Sequence, residues 1–196
     1  MNNKMRTSLF SYFKSRMLNT HLRNLHDANV LNHQNMAIFA YDHISLEIQL
    51  FGLYEMDLLN GLAHTVFKKI DLDNSICLDI GANIGNHTLF FASYFKSIYS
   101  FEPHPDIFDL LKFNTKNVNN INIFNFGASN IDEMAIIARN VKTNMGGSSI
   151  NFSDTDNVYG KFEVKLKKID NFINDSVSFI KIDVDRKSTR LNSSHV

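Results

Sequence analysis

The sequence predicts an α/β protein built on a parallel sheet, with a small antiparallel insertion. Three observations carry this. Short apolar runs at 76–80, 98–101 and 121–126 alternate with helical stretches at 88–95 and from Pro105 onward, the order that gives parallel strands with right-handed crossovers. A glycine-bearing turn, 81–85, joins the first run to its helix. Beyond Ala128 the pattern changes, and 134–138, 148–152 and 162–166 read as strands with no helix between them. In the last of these Phe162, Val164 and Leu166 alternate with Lys161, Glu163, Lys165 and Lys167, as on an antiparallel strand with one wet face.

The remaining elements follow in order. Residues 1–37 form a basic helical segment: Lys4, Arg6, Lys14, Arg16 and Arg23 precede the first acid, Asp27. Phe10, Phe13, Met17 and Leu22 share a helical face, which is expected to pack on its own domain rather than on a membrane surface. Residues 44–50 fit two periods, since Ile44, Leu46, Ile48 and Leu50 alternate like a strand while Ile44, Ile48 and Gly52 keep helical spacing. Met56, Leu59, Leu62, Ala63, Val66 and Phe67 make a helical stripe. Pro105 suits the first turn of a helix whose Ile107, Leu110, Leu111 and Asn114 share a face. Residues 177–184 read as a buried strand.

The bulk numbers bound the function. The chain has 196 residues, 44% of them hydrophobic, enough for one domain with a sizeable core. Lys plus Arg equals Asp plus Glu at 20 each, which argues against a broad basic face for nucleic acid. The single cysteine, Cys77, excludes an intrachain disulfide and a cysteine metal cluster. No apolar run is long enough to span a bilayer, and Lys14, Arg16 and Arg23 interrupt what would be a signal-peptide core, so a cytoplasmic location is expected. His21, His26, His33 and His43 lack metal-ligand spacing with acids, and no metal is expected. The abundance of Asn, Lys, Ile and Phe matches AT-rich codons.

The end of the chain departs from the rest. Residues 185–195 read DRKSTRLNSSH, the translation of a common sequencing adapter, and the apolar patterning stops at Val184. Residues 185–196 are therefore expected to be a non-native tail and 38–184 a partial domain, with the natural sequence continuing past Val184.

The stretch Leu78-Asp79-Ile80-Gly81-Ala82-Asn83-Ile84-Gly85-Asn86 carries the chemistry. It sits between a strand and a helix, where an open α/β sheet binds ligands at its carboxyl edge. A dinucleotide fingerprint needs G-x-G-x-x-G; here the glycines stand at 81 and 85 with Asn83 between. Asp79 would repel a pyrophosphate but suits a cationic cofactor without phosphate, and S-adenosylmethionine is one. Glu102, ending the second strand, stands where an acid accepts hydrogen bonds from both ribose hydroxyls.

Taken together, LDIGANIGNHTLFFA and FEPHPDIFDLLKFN resemble the first two motifs of the FkbM-type methyltransferases. Gly52-Leu53-Tyr54-Glu55 is similar to the family's G-x-Y-E, and Phe126-Gly127-Ala128-Ser129, Gly147-Ser148-Ser149, Lys168-Ile169-Asp170 and Phe179-Ile180-Lys181-Ile182-Asp183-Val184 match in order. The resemblance spans about 38–184. It implies a Rossmann-like methyltransferase sheet, incomplete in its C-terminal half, that uses S-adenosylmethionine to O-methylate a hydroxyl on a sugar or small metabolite. It also implies that Asp79, Gly81, Asn83, Gly85, Glu102 and Glu55 lie at the cofactor.

Lys181 and Asp183 are the expected catalytic pair. Two apart on a strand, they face the same way, and charges on a covered strand need partners or a cleft. Asp183 is expected to orient or deprotonate the acceptor hydroxyl, with Lys181 in support. His87 is expected at the surface of a helix start, and Asp170 as the cap of a short helix over 171–174. Glu55 serves the cofactor or caps the helix that follows it. The competing readings are a nicotinamide-dependent oxidoreductase, a nucleic-acid methyltransferase, and an inactive methyltransferase fragment.

Overall fold

The structure is a computed structural model that describes residues 9–28, 35–40, 42–139, 148–149, 160–173 and 176–184; the 185–196 tail lies outside them. In chain order the elements are α1 (Leu9–Ala28), α2 (His43–Phe51), α3 (Met56–Thr65), β1 (Ile76–Ile80), α4 (Asn86–Ala92), β2 (Ser97–Phe101), α5 (Pro105–Thr115), β3 (Ile121–Phe124), β4 (Gly127–Ala128), β5 (Glu133–Arg139), β6 (Ser148–Ser149), β7 (Gly160–Lys167) and β8 (Phe179–Ile182).

β1 is central. Its five residues are all buried, and it pairs in parallel with β2 on one side and β8 on the other, with β3 beyond β2. The α/β reading therefore holds, with a Rossmann-like parallel sheet. Because side chains alternate across a strand, β1 feeds two cores. Cys77 joins Leu59, Phe67, Phe91, Phe95 and Ile98 on the face covered by α3 and α4. Ile76, Leu78 and Ile80 join Phe101 and Phe126 on the other, under Ile169, Ile173 and Val177. The first core is aromatic: the Phe67 ring meets those of Phe91, Tyr94, Phe95 and Phe179 at 4.9–6.1 Å between centroids, largely edge to face, the geometry such rings prefer.

The second sheet has the order β4-β7-β5-β6. β5 is antiparallel to β6 and β7, as expected, but β4 runs parallel to β7. The strand expected over 121–126 breaks at Phe124, and Gly127–Ala128 leaves for this second sheet. Of the expected 148–152 strand, Ser148–Ser149 is seen and the rest lies outside the described residues.

End signals decide the segment that fitted two periods. Asp42 accepts hydrogen bonds from the N–H and hydroxyl of Ser45, both at 3.0 Å, and Gly52 takes φ +88 at the other end. This N-cap and left-handed C-cap make 43–51 a helix.

Two packing expectations fail. Phe13 and Met17 on α1 are 61% and 75% exposed; only the far end of this helix meets α2, where His26 contacts the Gln49 carbonyl at 3.2 Å. The strand in 177–184 is not fully buried either. Ile180 and Ile182 are 51% and 56% exposed, because among the described residues no element covers that face of β8.

Candidate functional site

A polar row crosses the helix-covered face at one level of the sheet. Ser100 on β2, Asp79 on β1 and Lys181 on β8 are register partners. Thr88 on α4 closes the row from above: its hydroxyl donates to Asp79 Oδ2 at 2.6 Å and lies 3.0 Å from the Ser100 hydroxyl. Lys181 Nζ sits 3.0 Å from Asp79 Oδ1 and donates to the Gly81 carbonyl at 2.9 Å. Asp79 is 0% exposed, and a buried carboxylate persists when paired and hydrogen-bonded. Lys181 supplies the pair. Asp79 is thus enclosed and engaged at both oxygens by the protein's own groups.

The glycine turn has a structural cause of its own. Gly81 (φ +78) and Ala82 donate their N–H groups to the Phe101 carbonyl, each at 3.0 Å. A Cβ at Gly81 would run into the Asp183 carbonyl, and one at Gly85 (φ +97) would meet Leu111 Cδ1 at 2.9 Å. Both glycines therefore admit neighbouring elements, the end of β8 and α5, in conformations that L side chains rarely adopt. Asn83 between them is also left-handed, at φ +51.

Glu102 faces this turn. Its Oε2 accepts the N–H of Asn83 at 3.0 Å, and its Oε1 that of His104 at 2.9 Å. Burial pushes its carboxyl up from 4.5 to about 7, against the pull of those two N–H groups. Each carboxylate oxygen offers two acceptor positions, so the group retains capacity for hydroxyl donors at the carboxyl end of β2.

A cleft of about 230 Å³ opens beside the row, lined by Glu55, Leu58, Leu62, His87, Lys181 and Asp183 among others. Asp183 Oδ2 is 3.7 Å from Lys181 Nζ, and its side chain is 69% exposed, so the two residues do share a face. Glu55 stands at the start of α3 in a left-handed conformation (φ +57) with no side-chain cap. Its carboxylate instead lies 3.3 Å from His87 Nε2, which sets aside the capping alternative. His87 is not a surface residue: it is buried, its ring packs against Phe91 and Tyr54, and burial together with nearby Lys181 drives its pKa down to about 4. It is neutral at physiological pH. Asp170 lies inside the short turn at Ile169–Asn171, whose cap position is held by Lys168; Asn174, in the helix expected over 171–174, lies outside the described residues.

Two asparagines went unread as structural anchors. The side-chain amide of Asn86 exchanges two hydrogen bonds of 3.1 Å with the backbone of Tyr54. Asn114 accepts from the Ala37 N–H at 2.6 Å and donates to the carbonyls of Ala37 and Ile84 at 3.0 and 2.7 Å. Each imitates a strand partner and ties a segment that precedes β1 to the helices that follow it. Asn86 thereby fixes the loop that delivers Glu55. The sequence signal was available: an Asn at the first position of α4, beside the glycine turn.

The parallel sheet, the glycine turn at its carboxyl edge and the acid at the end of β2 define a methyltransferase of the Rossmann-like class. Residues 79–185, more than half of the chain, match the methyltransferase FkbM domain, and the chain belongs to that family. Among solved structures it is similar to the methyltransferase FkbM of Methylobacillus flagellatus (15% identity over 85% of this chain and 43% of that one, TM-score 0.38). It is also similar to a provisionally assigned methyltransferase of Streptococcus mutans in complex with SAH (23%, 35% and 40%, TM-score 0.31) and to an rRNA methylase of Streptococcus thermophilus (21%, 35% and 39%, TM-score 0.31). The chain spans less than half the length of each of these. Comparison with curated proteins gives no match.

Proposed function

We propose that the protein transfers a methyl group from S-adenosylmethionine to a hydroxyl of a sugar or other small metabolite. The observation that carries this is Glu102: a desolvated carboxylate at the carboxyl end of β2, fixed by two backbone N–H groups and still able to accept from a diol. Glu102 and Asn83 would hold the ribose, and the 81–85 turn with Gly81 and Gly85 would underlie it. Glu55 would face the amino-acid end, with Asp79 acting only through Lys181. When bound, the cofactor supplies a methyl group activated by its sulfonium charge.

The chain's own groups then have to place and deprotonate an acceptor. Asp183 is the exposed carboxylate of the cleft and would accept the hydroxyl proton at Oδ2. Lys181, 3.7 Å away, would orient it. Leu58, Leu62 and Ile182 give the cleft an apolar wall, which limits water. Two carboxylates against one lysine favour an uncharged acceptor such as a saccharide over a polyanion such as nucleic acid. No helix among the described residues is long and apolar enough to cross a membrane. The functional domain in this reading runs over 38–184, with 1–37 an accessory helix.

The test is calorimetric titration of the wild type and Glu102→Ala with S-adenosylmethionine and with NAD. Binding of the first alone, lost in the variant, supports the reading; binding of NAD alone overturns it. Methyl transfer undiminished by Asp183→Asn removes Asp183 from the mechanism.

A further inference from the structure

We infer that His87 is a positioning residue that aims the Glu55 carboxylate at the cofactor's ammonium group. The inference rests on the S-adenosylmethionine reading and adds to it a residue outside the glycine turn and the strand ends.

The acids near the cleft are engaged differently. Asp79 is enclosed, with Thr88 and Lys181 on its two oxygens. Asp183 shares the Lys181 charge at 3.7 Å. Glu55 alone in the cleft faces a neutral partner: His87 Nε2 at 3.3 Å, a ring that burial keeps uncharged. An N–H of a neutral imidazole orients a carboxylate without cancelling its charge. Burial and the nearby Asp183 raise the Glu55 carboxyl's pKa, so a cationic ligand group beside it would be stabilising.

The backbone points the same way. A non-glycine residue at φ +57 is uncommon and persists where its surroundings over-determine it. Here the strain brings no helix cap, because the Glu55 side chain turns away from the α3 backbone. What it gains is the cleft and His87. The imidazole is fixed in turn by Phe91 and Tyr54, and Asn86, its neighbour in α4, holds the Tyr54 backbone by two hydrogen bonds. The buried Nε2 makes no hydrogen bond of good geometry among the described residues, and the Glu55 carboxylate at 3.3 Å lies within reach of it.

The test compares dissociation constants for S-adenosylhomocysteine and its deaminated analogue in the wild type, His87→Phe, His87→Gln, Glu55→Gln and the His87→Phe/Glu55→Gln double variant. The wild type is expected to prefer the amino compound by about ten- to hundredfold, as for a hydrogen bond to a charged group. Glu55→Gln and His87→Phe each lose most of that preference, the double variant loses no more, and His87→Gln, which keeps an N–H donor, retains it. Additive losses, or a preference unchanged in both single variants, overturn the inference. Imidazole 15N spectra of the wild type give a reading that needs no His87 variant to fold. A neutral ring protonated at Nε2, whose resonance moves in Glu55→Gln, supports the inference; the Nδ1-protonated tautomer overturns it. A wild type that binds neither S-adenosylmethionine nor S-adenosylhomocysteine overturns the proposed function itself, whereas tight binding with indifferent variants overturns only the role of His87.

Discussion

Two adjacent strands end in a buried carboxylate, and the two acids are held in opposite ways. Asp79 near the end of β1 has a cation, Lys181, and a hydroxyl, Thr88. Glu102 beyond the end of β2 has two backbone N–H groups and, among the described residues, no cation in contact. A buried charge with its counter-ion is a structural unit, strongly destabilising when one member is removed. A buried charge held by neutral donors keeps unmet demand, visible in the rise of its pKa to about 7, and groups perturbed in this way cluster at ligand sites. The first acid fastens the sheet; the second keeps acceptor capacity to spare.

The largest effect that would break this contrast lies at Lys181. Lys181→Met should cost about 3–5 kcal/mol in denaturant unfolding, since it leaves Asp79 uncompensated in the core; a loss under about 1 kcal/mol would mean that water or another group satisfies Asp79. Gly81→Ala should cost about 1–3 kcal/mol, because its Cβ meets the Asp183 carbonyl at a positive φ. Unchanged unfolding would show that β8 can move aside. Thr88→Val removes one hydrogen bond to a charged group and should cost about 1.5–3 kcal/mol, less than Lys181→Met.

Glu102→Gln should act in the other sense, leaving stability near neutral pH equal or higher while weakening cofactor binding. The sign follows from its raised pKa. A carboxyl that titrates higher in the folded chain than at its ordinary 4.5 contributes stability below that value and loses it as pH rises toward about 7. Unfolding of the wild type against pH should therefore slope downward through that window, and the slope should shrink in Glu102→Gln. Hydroxyl donors prefer the ionised form, so wild-type affinity for the cofactor should weaken as pH falls from about 8 to about 6; a flat affinity profile would detach Glu102 from the ligand. The smallest effect is expected at α1, where Met17→Lys should change stability by no more than about 0.5 kcal/mol, given that Met17 is 75% exposed.

Local pattern made much of the fold legible. The 76–80 strand, the glycine turn, Pro105 at a helix start and the acid at 102 are written in neighbouring residues, and each was found where the sequence placed it. The helix at 43–51 was legible too, through Asp42 and Gly52, but its alternating apolar residues masked those end signals. The abundance of asparagine matches AT-rich codons, yet Asn86 and Asn114 work as side-chain strand partners, and Asn120 donates to the Ala92 and Phe95 carbonyls at 2.9 Å, closing the end of α4.

The sequence by itself determined the element types, the sheet class and the two strand-end acids, because hydrophobic period, capping and turn chemistry act between residues a few positions apart. Only the tertiary structure decided what each acid touches. Asp79 meets Lys181 because β8 pairs with β1 in one particular register, and His87 meets Glu55 because α4 packs beneath the start of α3. Those partners are far apart in sequence, and the sign and strength of a buried electrostatic contact depend on position and dielectric, which no local pattern encodes.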